Sequence, residues 1–280
     1  MIKRLILLAY HLAICTCILC AGEPVRPVLS SYTGHIGSAH IAETYLSPLR
    51  YSGQSFGLDY ERMQAMKFDP ERWVSDMRIS LLGARTLNQA QSTTIWQAAV
   101  EGGWGMMRRF DLNNGFRAYF GGTTDISAGL FYSERNTNNP VAAKVSWTVG
   151  AMGAIAWNGT IKKLPVCLRY QASMPLTGIF FSPEYGELYY EIYLGNHKGL
   201  VRGAWPGNFF RLNNLLSADL RFGATVLRLG YRLNYASSKA SGIVSRNINH
   251  CAVIGFCSEW VSLSATRKVD SNAKITSALY

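Results

Sequence analysis

The chain is short of charge. Charged residues make up 16% of its 280 positions, against the ~25% usual in soluble domains. That shortage argues against an ordinary soluble enzyme, which needs a charged surface on every side. Long apolar runs are also missing. Beyond residue 22 no stretch stays apolar for the ~18 residues of a helical membrane span, so a bundle of membrane helices is excluded. Helix-period stripes with capping residues are scarce. Histidine is rare, and His35 and His40, five apart in a Gly-containing stretch, do not form a metal signature. Neither a metal nor a cofactor is expected. Gly150-Ala151-Met152-Gly153 is followed by no strand-to-helix switch, so it reads as small strand residues, not a nucleotide loop.

The amino terminus is where apolar residues do gather. Lys3 and Arg4 form a basic start, Leu5 to Ile14 an apolar run, and Ala21-Gly22 a small-residue exit. This is the pattern of a secretory signal peptide cleaved near Gly22. An uncleaved anchor is the alternative, but the run is short and interrupted by Tyr10, His11 and Thr16. Cys15, Cys17 and Cys20 leave with the signal. Of the remainder, Cys251 and Cys257 lie too far apart along one expected strand to bridge, so these and Cys167 read as isolated small apolar residues.

What the chain has in quantity is glycine, tyrosine and tryptophan: 26, 15 and 7 residues. It also has period-two alternation, the mark of strands with two unlike faces. In 95–107, Trp96, Ala98, Val100, Gly102 and Trp104 oppose Gln97, Ala99, Glu101 and Gly103. The same pattern recurs in 116–132, 144–157, 164–174, 216–222 and 227–235. Less regular strands are expected at 55–67, 73–84, 187–194 and 249–262. The fold class is therefore all-β, an antiparallel up-and-down transmembrane barrel of about ten strands, or twelve if 199–212 adds a pair. Such barrels carry apolar residues toward lipid, polar ones toward the lumen, and aromatic girdles at both interfaces. Trp96 with Trp104, and Trp147 with Trp157, have girdle spacing. A soluble sandwich would use the same aromatics as core.

The expected organisation is a signal peptide at 1–22, a periplasmic or lumen-entering arm at 23–52, the barrel at 53–266 and a carboxy-terminal tail at 267–280. With the first strand taken from residue 55 and running outward, the hairpin at 223–225 falls inside and the long connection 195–213 outside. The connection 175–186 is then a misfit, being both internal and long. The location is the outer membrane of a Gram-negative bacterium.

The segment Thr44-Tyr45-Leu46-Ser47-Pro48-Leu49-Arg50-Tyr51-Ser52-Gly53 resembles the opening signature of a family of exported Bacteroidota proteins known only by a domain of unknown function. Gly230-Tyr231-Arg232 in the late hairpin is similar to it too. The family's pattern has Asp and Glu where this chain has Glu43 and Arg50. The resemblance implies an outer-membrane barrel and no activity.

Twelve charges on polar faces are candidates to line the lumen: Asp59, Glu61, Asp76, Arg78, Glu101, Arg117, Asp125, Arg169, Asp219, Arg221, Arg228 and Arg232. Their mixed signs point to paired charges filling a narrow barrel. The formal charge of +11 is scattered, not clustered. It fits outer-membrane lipids and lipopolysaccharide as partners better than nucleic acid. The function expected is that of a non-enzymatic integral barrel, structural or binding ligand through its outer loops. The alternatives are a lipid-modifying or phospholipase-type barrel, with His250 the best candidate base, and a narrow solute channel.

Overall fold

A computed structural model describes residues 25–137, 139–223, 225–261 and 275–280. The signal peptide, its three cysteines and most of the expected tail lie outside these residues. Eleven strands form one sheet: β1 (Val28–Glu43), β2 (Arg50–Ala65), β3 (Trp73–Asn88), β4 (Thr94–Asp111), β5 (Phe116–Ser133), β6 (Val141–Ile161), β7 (Leu164–Phe181), β8 (Val201–Ala204), β9 (Phe209–Phe222), β10 (Thr225–Ala240) and β11 (Ile243–Trp260). All pairs are antiparallel. β1 pairs with both β2 and β11, and β6 with β7, so the sheet closes.

The barrel has ten strand positions among the described residues. β8 and β9 both pair with β7 and share one position, interrupted by an excursion at 205–208. The segment 199–212 therefore adds no further pair. The excursion is held by its own chain: Phe209 N–H donates to the Trp205 carbonyl at 2.9 Å, and Trp205 N–H to Asn208 Oδ1 at 2.9 Å.

Two expectations are corrected. The described part of the expected 23–52 arm, residues 25–52, is neither a periplasmic arm nor a lumen-entering segment, because Val28–Glu43 is the first strand of the barrel. Its apolar face is diluted by Gly34, Ser38, His40 and Ala42, which hid the alternation. The segment 187–194 is not a strand either. It holds one helical turn, α1 (Tyr189–Tyr193), with Glu191 Oε2 accepting from the Leu188 N–H at 3.0 Å. Its Tyr- and Ile-rich sequence favours strand locally, but no edge remains for it to pair with.

These two errors cancel in the strand count and not in the orientation. An even number of strands brings both ends of the barrel sequence to one side, where the short turn at 162–163 and the short connection from β9 to β10 also lie. Short turns mark the periplasmic end and long loops the outer end. The connection 182–200 is therefore outer, which removes the misfit. The ends of β2 to β7 are inverted relative to the sequence reading. Asn158-Gly159-Thr160 is strand near the periplasmic end, and Asn158 Nδ2 donates to the Leu279 carbonyl at 3.0 Å.

Pro175 does not end β7. It sits where the β6–β7 register shifts at Val149/Gly150, and the strand continues to Phe181. A bulge accepts a residue without a ladder N–H. The outer hairpin at Ser241-Gly242 has φ of 51° and 78°, the left-handed pair that tight hairpins need.

The greasy face looks outward. Trp104, Val149 and Leu229 are 48%, 44% and 40% exposed, while Arg228 is 1% exposed. Only lipid makes that distribution favourable, since a row of bare Trp, Val and Leu side chains in water would associate. On this outer wall the Trp147 indole N–H is satisfied by Thr124 Oγ1 at 3.0 Å, as a buried or lipid-facing indole requires.

Candidate functional site: a lumen closed at both ends

Inward residues of successive strands meet across the barrel, and the twelve candidate charges all point there. Near the middle Glu61 Oε2 accepts from Arg169 and Arg228, each at 2.6 Å. Arg228 also forks onto Asp219, with Nε and Nη2 donating at 2.7 and 2.8 Å. Asp76 accepts from Gln171 at 2.9 Å. Arg78 donates to Asp125 at 3.3 Å. Arg232 donates to Asp59 at 2.6 Å, and His35 Nδ1 lies 2.9 Å from the other Asp59 oxygen. Gly57 makes room for that histidine, since a Cβ there would collide with the His35 ring.

Burying this many charges is expensive unless every one is paired. Removing one partner of such a pair costs about 3–5 kcal/mol, while the intact pair is near neutral. The belt is therefore a device that holds geometry and blocks the lumen, more than a source of stability.

Below the belt the periplasmic mouth is filled. Leu29, Met63, Val74, Met107, Tyr119 and Met152 form a buried apolar cluster with the chain's own end, Ala278 and Leu279. Arg109 and Arg117 donate to the Ser277 and Leu279 carbonyls at 3.1 and 2.9 Å, and the Tyr119 hydroxyl donates to the Ala278 carbonyl at 3.0 Å. The Tyr280 hydroxyl reaches up to Asp219 at 2.9 Å, and the Arg221 guanidinium lies 4.2 Å from its ring centre. Residues 275–280 are thus a plug, where a tail beyond the last strand was expected.

Above the belt the lining changes. Glu101 pairs with Arg211 at 3.2 Å and Glu43 with Lys144 at 2.7 Å. Between these pairs lies a chamber lined by Ser127, Ser146, Ser245, Gln97, Asn247 and Asn249, with a cavity volume of about 90 Å³. Gln97 Oε1, Asn247 Oδ1 and Asn249 Oδ1 are buried and have no hydrogen-bond partner among the described residues. Phe131 and Phe180 form its apolar side. The chamber carries hydrogen-bonding capacity with its charges already used.

A cap covers the chamber. Loop 182–200 lies over the outer mouth, where the Tyr45 hydroxyl donates to the Glu187 carbonyl at 2.7 Å and Tyr189 Oη accepts from the Ala143 N–H at 2.7 Å. Ile41, Leu46, Tyr51, Ile95, Phe131 and Ala142 cluster beneath it. Burial raises the Tyr45 pKa well above its usual value, reinforced by Tyr189, Glu187 and Glu43; burial also raises that of Tyr189. Both phenols are held protonated in the closed cap.

Sequence reasoning missed Glu43, His35 and Arg211 because the first two sit on the unrecognised β1 and the third fell in an assumed loop. His250, the candidate base, faces lipid, with its Nδ1 2.6 Å from the Tyr231 hydroxyl. Ser245 is on the opposite, inner face. The outer wall instead pairs His40 Nδ1 with Ser52 Oγ at 3.0 Å, residues whose separation in sequence concealed the contact. Among the described residues no cluster of His, Cys, Asp or Glu has metal-binding geometry. The three remaining cysteines are free and buried.

Residues 5–267 match the family "Protein of unknown function (DUF3316)". The chain belongs to this family. Curated proteins give no match. Among solved structures it is similar to Neisserial surface protein A, at 11% identity and TM-score 0.33, over 82% of this chain and 97% of that one. The translocator domain of the autotransporter NalP from Neisseria meningitidis aligns at 12% identity and TM-score 0.37, over 92% and 96%. The β domain of the Bordetella autotransporter BrkA aligns at 9% identity and TM-score 0.40, over 84% and 100%. These alignments are loose and say nothing of a role. The closed sheet with its lipid-facing band makes this DUF3316 member an integral outer-membrane β-barrel protein.

Proposed function

We propose that this barrel is a non-enzymatic, non-conducting binding protein that admits a small polar solute to its chamber from the outer side. One observation carries the reading: the lumen is shut on the periplasmic side by the Glu61–Arg228–Asp219 belt and the 275–280 plug, while its free space lies on their outer side, first among Asp59, Arg78, Asp125 and Arg232 and then in the chamber. Unpartnered amide oxygens with aromatic flanks suit a neutral, hydroxyl-rich solute better than an ion. Planar-bilayer recording tests the first half. The wild-type barrel should give no discrete conductance steps. Steps that shift with Arg228 or Arg232 charge reversal overturn the reading in favour of a narrow channel.

A second reading, a lipid-cleaving barrel, is favoured by the His40–Ser52 contact on the lipid-facing wall. It ranks lower because, among the described residues, no third polar group is hydrogen-bonded to His40, which a nucleophile's base requires. Phospholipid and lipid A turnover that disappears in Ser52→Ala and persists in His250→Ala would promote it. The Bacteroidota origin suggested by residues 44–53 belongs with these proposals. So does the role of that motif, which here supplies Tyr45 and Leu46 to the cap.

A further inference from the structure

The outer wall carries a feature unrelated to the lumen. Reading across the β9, β10, β11, β1 and β2 register, Phe210, Ser237, Arg246, Ala42 and Arg50 are successive partners on the lipid-facing side. One row toward the outside, Lys239 pairs with Val244. Lys239 is therefore a diagonal neighbour of Arg246, within the ~7–8 Å at which long side chains converge on one group. Lys239, Arg246 and Arg50 are exposed. Among the described residues none of the three takes part in an ion pair, in contrast to the lumen arginines Arg78, Arg169, Arg228 and Arg232.

These cations border a formed pocket. The 205–208 excursion rises beside them, fixed by the Lys239 N–H donating to the Asn208 carbonyl at 2.8 Å. With Phe209, Phe210, Ser237, Lys239, Val244 and Arg246 it borders an open pocket of about 230 Å³. One row toward the membrane centre the wall turns apolar. The Phe210 and Tyr235 rings pack 5.9 Å apart, and Leu212 and Ile248 flank Tyr235. Unpaired cations thus sit directly above an aromatic and aliphatic platform, at the outer edge of the lipid-facing band.

From this juxtaposition we infer that the β9–β10–β11 rim is a binding site for lipopolysaccharide, with Lys239 and Arg246 holding a lipid A phosphate and the Phe210–Tyr235 platform holding an acyl chain. A phosphate accepts a two-point grip from a guanidinium and an ammonium. The platform distinguishes a lipid phosphate from a free one, because only the lipid covers it. The site is independent of the chamber and survives if the chamber proposal fails.

The test uses the full-length barrel purified from outer membranes and exchanged into detergent, with lipid retention read by native mass spectrometry. The probes are diphosphoryl lipid A, the same lipid with both phosphates removed, and inorganic phosphate. Wild type should retain diphosphoryl lipid A and release the dephosphorylated lipid. Lys239→Ala/Arg246→Ala should lower retention by about tenfold or more, from roughly one unit of surface attraction per cation. Arg62→Ala/Arg108→Ala, at the other rim, should leave it unchanged. Folding is checked by heat-modifiable migration, and the dephosphorylated-lipid arm stands without any variant. Equal retention of both lipids by wild type overturns the inference. So does unchanged retention in the folded double variant, and displacement of lipid A by millimolar inorganic phosphate marks a simple anion site instead.

Discussion

The two halves of the lumen are built on opposite plans. Toward the periplasm the Glu61 and Asp219 carboxylates are gripped by Arg169 and Arg228, and Met63, Met107, Met152 and Leu279 fill what remains. Toward the outside the charges withdraw to two pairs at the chamber's edges, and the space between holds neutral amides with buried oxygens left over. A wall with unspent hydrogen-bonding capacity is not built for stability, because each unpartnered buried group costs about 1–3 kcal/mol. The difference teaches that the inner half seals and the outer half receives.

The comparison is most easily broken at Glu61. Glu61→Gln leaves Arg169 and Arg228 against a neutral amide, and should destabilise the barrel by about 3–5 kcal/mol. Glu101→Gln, in the partly exposed pair with Arg211, should cost about 1 kcal/mol or less. Urea unfolding from lipid vesicles measures both. Similar losses at the two sites would mean the halves do not differ as described.

Leu279→Ala probes the plug. Leu279 is completely buried, and truncating such a residue costs about 2–5 kcal/mol, depending on how far the site collapses. A loss below about 0.5 kcal/mol would show that residues 275–280 do not occupy the mouth in the membrane. Asn249→Leu probes the chamber with the reverse expectation. It removes a buried oxygen that has no partner, so stability should change by no more than about 1 kcal/mol and can rise. A destabilisation comparable to that of Leu279→Ala would mean the amide is a structural hydrogen-bond partner and not a free recognition group.

The sequence revealed the barrel where the two faces differ sharply and concealed it where they do not. β4, β5 and β6 alternate over much of their length, because their outer faces carry Trp, Ile, Val and Phe through the thickest apolar part of the wall. β1 does not, because Gly34, Ser38 and His40 thin its outer face. That single omission displaced the apparent orientation of six later strands. The lumen charges were legible because an ionisable residue opposite an apolar row has one place to go. Their partners were not, since Glu61 meets Arg169 and Arg228 across the barrel, more than a hundred residues away. The plug was invisible for a related reason. Ser277-Ala278-Leu279-Tyr280 has no periodicity, and its burial comes from distant partners: the apolar cluster around Met63, Met107 and Met152, and Arg109, Arg117 and Tyr119 reaching its carbonyls.

The smallest expected effect lies at the cap, and it titrates. Tyr45 is protonated in the closed loop, where burial first, and then Tyr189, Glu187 and Glu43, raise its pKa. In an opened loop it returns to the ordinary tyrosine value of about 10. The closed form thus holds its proton more tightly, so the closure energy is complete below about pH 10 and declines as pH rises from there toward the higher closed-state value. Protease cleavage within 182–200 should stay flat from about pH 7 to 9 and accelerate between roughly pH 10 and 11. Heat-modifiable migration of the barrel should persist throughout, since the membrane-spanning ladder is untouched. Tyr45→Phe gives up the hydrogen bond to Glu187, about 1 kcal/mol, and should cleave faster at neutral pH with a weaker alkaline rise. If wild-type cleavage is indifferent to pH up to about 11, the phenols do not hold the cap, and the contrast between a sealed inner half and an openable outer half loses its moving part.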